Sequence, residues 1–72
     1  MTGRPFDDLT KSTNKRVLVK LKGDKTVSGV LKSYDVHLNL VLEEAEIILA
    51  DESKSKHEKI LVRGDNILFV AL

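Results

Sequence analysis

From Lys15 onward the apolar residues of this 72-residue chain recur mostly at every second position, a period that commits a chain to half-buried strands. In Arg16-Val17-Leu18-Val19-Lys20-Leu21, Val17, Val19 and Leu21 share one face. Lys22-Gly23-Asp24-Lys25 is a turn signal, so this strand is expected to hairpin into the next, Thr26 to Tyr34. That second strand carries Val27 and Leu31 on one face and Val30 on the other. Gly29 in its middle marks a bulge, a bend or a close backbone approach. A bend is the favoured reading, because strands in a small closed barrel must bend hard.

After a short loop at Asp35-Val36-His37, Leu38 to Leu42 and Glu43 to Leu49 continue as one long strand. Its leucine phase at 38, 40 and 42 runs into glutamates at 44 and 46, which predicts strong curvature. Asp51 to Glu58 reads as a solvated, mixed-charge loop. Lys59 to Arg63 and Asn66 to Leu72 then form two short strands joined by Arg63-Gly64-Asp65. The last of these is apolar on both faces and needs cover on both. One face can meet the chain's own core, and the other points to a second copy. Ahead of the strands, Arg4 to Lys11 reads as a helix closed by Ser12-Thr13-Asn14, with Pro5 at its first position and Asp7 and Asp8 in its first turn. Phe6 and Leu9 share a face of this helix, which is too short to stand alone and must lie on something else. The expected fold is mainly β: a short N-terminal helix at about 4–12, then five strongly bent antiparallel strands.

Residues 1–72 form one small domain, whose core is marginal by itself. The chain has no cysteine, which excludes disulfides and thiolate metal sites. Its two histidines, His37 and His57, lack a carboxylate cluster, so neither a metal nor a cofactor is expected. Self-association is the favoured source of extra stability. No stretch has the length of a signal peptide or a membrane span, so a cytoplasmic protein without membrane contact is expected. The net charge of +1 argues against a nucleic-acid grip through phosphates alone. Binding of RNA would have to rest on stacking and base edges.

Three side chains suit that task. His37 can stack on a base, and Arg63 can cover the other face of the base with its flat guanidinium. Asn39 carries a donor beside an acceptor, which matches the O4 and N3–H edge of uracil. Its amide could equally flip to suit cytosine, so either Asp35 or Asp65 must fix it by accepting the spare N–H. Each residue also has a plainer reading. A lone histidine near a turn is more often an ordinary surface residue. Arg63-Gly64-Asp65 is first a turn, with Gly64 supplying a positive φ and Asp65 a local cap. Asp35 is equally at home in a turn, and Tyr34 is either a half-exposed strand residue or a stacking platform. Asn39 is the least easily dismissed, because an amide in an apolar run demands a partner. No nucleophile set, phosphate loop or paired carboxylates can be placed, so no catalytic residue is assigned and no enzyme is expected.

The stretch Val17 to Glu46 resembles the first motif of the Sm/LSm family, and Ile60 to Val70 resembles the second. The resemblance is carried by Leu21-Lys22-Gly23, Gly29-Val30-Leu31, Tyr34 to Leu42, Ala45-Glu46 and Ile60 to Ile67, and with the helix it covers nearly the whole chain. The short chain is most similar to archaeal Sm-like proteins. The resemblance implies an SH3-like open barrel, with seven copies closing into a ring through the fourth strand of one and the fifth of its neighbour. It implies binding of single-stranded, uridine-rich RNA at the pore, in RNA processing or ribonucleoprotein assembly. The family's uridine pocket falls on His37, Asn39 and Arg63, supported by Asp35, Gly64 and Asp65, with a looser secondary contact at Arg4 and Tyr34. A barrel adaptor that binds protein and ignores RNA is the alternative from a different class.

Overall fold

The computed structural model describes residues 5–72, with side chains from Asp7 onward. The expected contacts of Arg4 and Phe6 lie outside the described residues. Helix α1 spans Pro5–Ser12 and is followed by strands β1 (Arg16–Leu21), β2 (Lys25–Tyr34), β3 (Leu40–Ile48), β4 (Lys54–Val62) and β5 (Ile67–Ala71). A short 3-10 helix, Gly64–Asn66, joins the last two strands. The strands form one antiparallel sheet in the order β4-β3-β2-β1-β5. That order leaves β4 and β5 at the two edges, so the barrel is open.

The period-two reading of β1 and β2 holds. Val17 and Val19 are buried from β1, and Val27 and Leu31 from β2, while the turn between them places Gly23 and Asp24 at positive φ. Leu40, Leu42 and Ala45 of β3, Val62 of β4 and Leu9 of α1 complete the core. Each of the larger side chains, fully buried, stabilises the fold by about 1.5–3 kcal/mol. Leu9 reaches this core because the chain after α1 is pinned to β2. Asn14, at positive φ, donates its N–H to the Leu31 carbonyl at 2.7 Å, and the Leu31 N–H returns to Lys15 at 2.9 Å. The Thr10 and Tyr34 hydroxyls are hydrogen-bonded, which ties the helix to the end of β2.

The predicted bend is present, and β3 carries the extra residue. Ser28 faces Glu46 and Val30 faces Glu43, so β3 has one residue more than β2 across this interval. Glu44, at φ 49°, is where the backbone departs from extended geometry. The inserted residue shifts the side-chain phase: Leu40 and Leu42 point inward before it, Ala45 after it, and Glu44 stays outside. Gly29 sits at the inside of the bend, where a Cβ would come within 3.0 Å of the Leu42 Cβ and 3.2 Å of the Ala45 Cβ. Arg16 braces the outside, donating to the Glu44 carbonyl and the Ser28 hydroxyl, both at 2.9 Å.

Two sequence expectations are corrected. The segment 51–58 is not a loop along its length, because Lys54 onward is strand β4, paired with β3 from Ile48↔Lys54 to Leu40↔Val62. Its first residues are exposed, so no apolar alternation betrays them, and backbone bonds to β3 define the strand. Leu38 and Asn39 likewise precede β3 rather than belonging to it, since Leu38 adopts φ 62°.

Candidate nucleic-acid interface

The loop between β2 and β3 is built around the Asp35 carboxylate. Asp35 Oδ1 accepts the backbone N–H of His37 at 2.9 Å and that of Asn39 at 3.1 Å. Asp35 Oδ2 accepts Asn39 Nδ2 at 3.0 Å. Backbone bonds close the same turn, from Leu38 N to the Asp35 carbonyl and from Asp35 N to the Asn39 carbonyl. These donors hold the Asp35 carboxyl below the usual aspartate range; the Asn39 side chain has the largest effect, its backbone N–H the next. The turn-residue reading of Asp35 and its reading as the partner of Asn39 are therefore both correct.

Arg63-Gly64-Asp65 lies against this loop. The Gly64 N–H donates to Asn39 Oδ1 at 2.8 Å. The Asn39 amide is thus fixed at both ends, and only one orientation is compatible. A flip would set its oxygen against the Asp35 carboxylate and its NH2 against the Gly64 N–H. Asp35 orients Asn39. Asp65 instead pairs with Arg63 Nη2 at 3.0 Å, an exposed contact that holds the guanidinium rather than the amide.

Gly64 serves a different purpose from the expected positive φ, because Gly23 is the glycine with that conformation among the described residues. A Cβ on Gly64 would stand 2.0 Å from the His37 carbonyl oxygen. Glycine is needed there so that the two loops can touch. The N–H that Gly64 offers to Asn39 was not legible in the sequence, since a backbone donor has no residue signature.

His37, Asn39, Arg63, Gly64 and Asp65 line one open cleft of about 500 Å3. Residues separated by about 25 positions in the chain meet here because β3 and β4 are paired next to both loops, Leu40 facing Val62. His37 and Arg63 are exposed on it, and Asn39 keeps one further donor and one further acceptor position. The cleft can accept a flat, polar ring between two planar groups and read one edge of it. Tyr34 stands apart, half-buried against the core with its hydroxyl joined to Thr10.

Comparison with known proteins gives a consistent result. The family described as LSM domain matches residues 7–72. An snRNP Sm-like protein of Methanococcoides burtonii is 45% identical over 71 residues, covering 99% of both chains. One from Thermoplasma acidophilum is 41% identical over 68 residues, 94% of this chain and 82% of its own. Among solved structures, the Pyrococcus abyssii Sm protein in complex with a uridine heptamer superposes with a TM-score of 0.89 at 43% identity, covering 96% of this chain and 97% of that one. The P. aerophilum SmAP1 heptamer gives a TM-score of 0.89 at 39% identity, with 99% and 95% covered.

Proposed function

The chain belongs to the LSM-domain family, and from that premise we propose that it is one subunit of a homo-heptameric ring that binds single-stranded, uridine-rich RNA. Each subunit contributes one base pocket facing the pore. His37 and Arg63 sandwich the base, while Asn39 donates to uracil O4 and accepts from N3–H. Asp35 and Gly64 orient the amide, and Asp65 steadies Arg63. The observation that carries this reading is the Asn39 side chain fixed at both ends. That order of donor and acceptor suits uracil and opposes cytosine presented the same way round.

Stacking contributes roughly 1–3 kcal/mol per base. One pocket is therefore weak, and repetition around a ring supplies affinity by multivalency without a strongly basic subunit. The net charge of +1 is compatible with such a mechanism. The role is that of a cytoplasmic scaffold in RNA processing or ribonucleoprotein assembly rather than an enzyme. No helix among the described residues is long and apolar enough to cross a membrane.

The test compares oligo-U with oligo-C on the assembled protein. Oligo-U should bind and oligo-C bind poorly, and Asn39→Ala should weaken oligo-U binding by about tenfold with the fold retained. Equal affinity for both oligomers sinks the base-edge argument. Indifference to all single-stranded RNA favours the protein-binding adaptor instead.

A further inference from the structure

Between His37 and Asn39 stands Leu38, a residue with no place in the pocket and an unusual backbone. Its φ is 62°, a conformation that bulky side chains adopt only where the surroundings enforce it. The Asp35 hydrogen bonds surround it on both sides but would not by themselves select leucine, since asparagine or glycine enters this region at lower cost. The side chain supplies the missing reason. Leu38 lines a groove that is apolar apart from Asp8 at its α1 side, together with Leu9, Leu40, Ile67, Val70 and Leu72, on elements α1, β3 and β5 and the residue after β5. It is 43% exposed, so more than half of its surface is covered although it sits on a surface loop.

We propose that Leu38 is a positioning residue: its side chain, forming part of the wall of this groove beside α1 and β5, holds the loop in the left-handed turn that aims His37 and Asn39 into the base cleft. The geometry is set by the chain itself. Leu38 stands between His37 and Asn39 in the chain, so the conformation of its backbone fixes the positions from which both neighbours project. With Leu38 seated, Asn39 meets Asp35 and the Gly64 N–H at 3.0 and 2.8 Å. Without that anchor only the hydrogen bonds around Asp35 hold the turn at positive φ, and the loop opens more often to geometries in which the amide is no longer held at both ends. Glycine at 38 would allow the turn and lack the anchor. Methionine would keep an apolar anchor of similar volume.

The inference rests on the uridine-pocket reading for its consequence in binding, but not for its structural content, and the experiment separates the two. Hydrogen exchange at the Gly64 and Asn39 amides reports the orientation of the loop without any ligand. Leu38→Ala and Leu38→Gly should both accelerate exchange at these amides by about tenfold, and Leu38→Met should stay near wild type. Core amides of β1 and β2 should be unchanged in all three, which distinguishes positioning from general loss of stability. In the binding arm, Ala and Gly should lower the preference for oligo-U over oligo-C by about tenfold, and Met should restore it. Wild-type exchange at Gly64 and Asn39 in the Ala and Gly variants overturns the proposal. If Leu38→Gly alone behaves as wild type, backbone conformation and not the anchor decides, which also overturns it. A wild-type protein without any preference for oligo-U removes the pocket reading, and the exchange arm still decides the role of Leu38.

Discussion

Asp35 accepts three N–H groups with two oxygens, and this concentration of donors on one surface carboxylate gives the pocket its pH dependence. Its folded-state pKa is lowered, chiefly by the Asn39 side chain. A lowered carboxylate pKa means that the network's contribution is fully present above the ordinary aspartate value and is lost as pH falls through the lowered one. Followed by its carboxyl-carbon NMR shift, Asp35 should therefore titrate below an aspartate in a short peptide. In Asn39→Ala the midpoint should move back up towards that reference. An unchanged midpoint in the variant would remove Asn39 as the main cause. At this scale the residues singled out in the sequence, His37, Asn39, Arg63, Gly64 and Asp65, do meet in one cleft, and one choice was left open. Asp35 or Asp65 could each have oriented the amide, because four positions along a loop and a contact across two loops look alike in one dimension. The Gly64 N–H and the left-handed Leu38 were not legible, since both belong to the backbone.

Strand β3 shows how one residue changes what an element does. The alternation at Leu40 and Leu42 is resumed at Ala45, one position out of phase, because Glu44 is inserted at the bend. The clash of leucine phase with glutamates was visible in the sequence and correctly signalled curvature. The identity of the inserted residue was not, since either glutamate could have taken it. Gly29 faces the inside of this bend, and its missing Cβ leaves room for Leu42 and Ala45. Gly29→Ala should cost about 1–3 kcal/mol by overpacking the inner side of the bend. Chemical denaturation should show a lowered midpoint with an unchanged slope, and an unshifted midpoint would mean that the bend has slack. The exposed start of β4 was missed for the opposite reason. Side-chain periodicity reports burial, and a strand exposed on both faces has none to report.

At the scale of the whole molecule, two edges remain open. Strand β4 presents Leu61, 66% exposed, and β5 presents Phe69, 57% exposed, at opposite ends of the same sheet. As edge strands both also offer backbone groups to a further strand, and with these exposed apolar side chains they are suited to pairing with another chain. The two edges differ from each other, so in the proposed assembly their contact would be heterologous, closing into a ring or running on as a filament. A charge at Phe69 tests whether RNA affinity depends on that contact. Phe69 lies outside the core and pairs with Lys20 of the adjacent strand β1, so Phe69→Glu should leave the monomer folded. In the proposed ring it would replace a large apolar side chain at the seam by a carboxylate taken out of water with only Lys20 beside it, at a cost of several kcal/mol per contact. Measured mass should then fall from that of a ring to that of a single chain. The cleft proposed to hold a base is lined within one chain, so uridine mononucleotide binding should persist at its weak intrinsic level while oligo-U affinity falls by about 10²–10⁴-fold, the factor that linked sites supply. If the variant becomes monomeric and still binds oligo-U as tightly as the ring, repetition is not the source of affinity, and the single pocket must carry more binding energy than stacking and one amide edge provide.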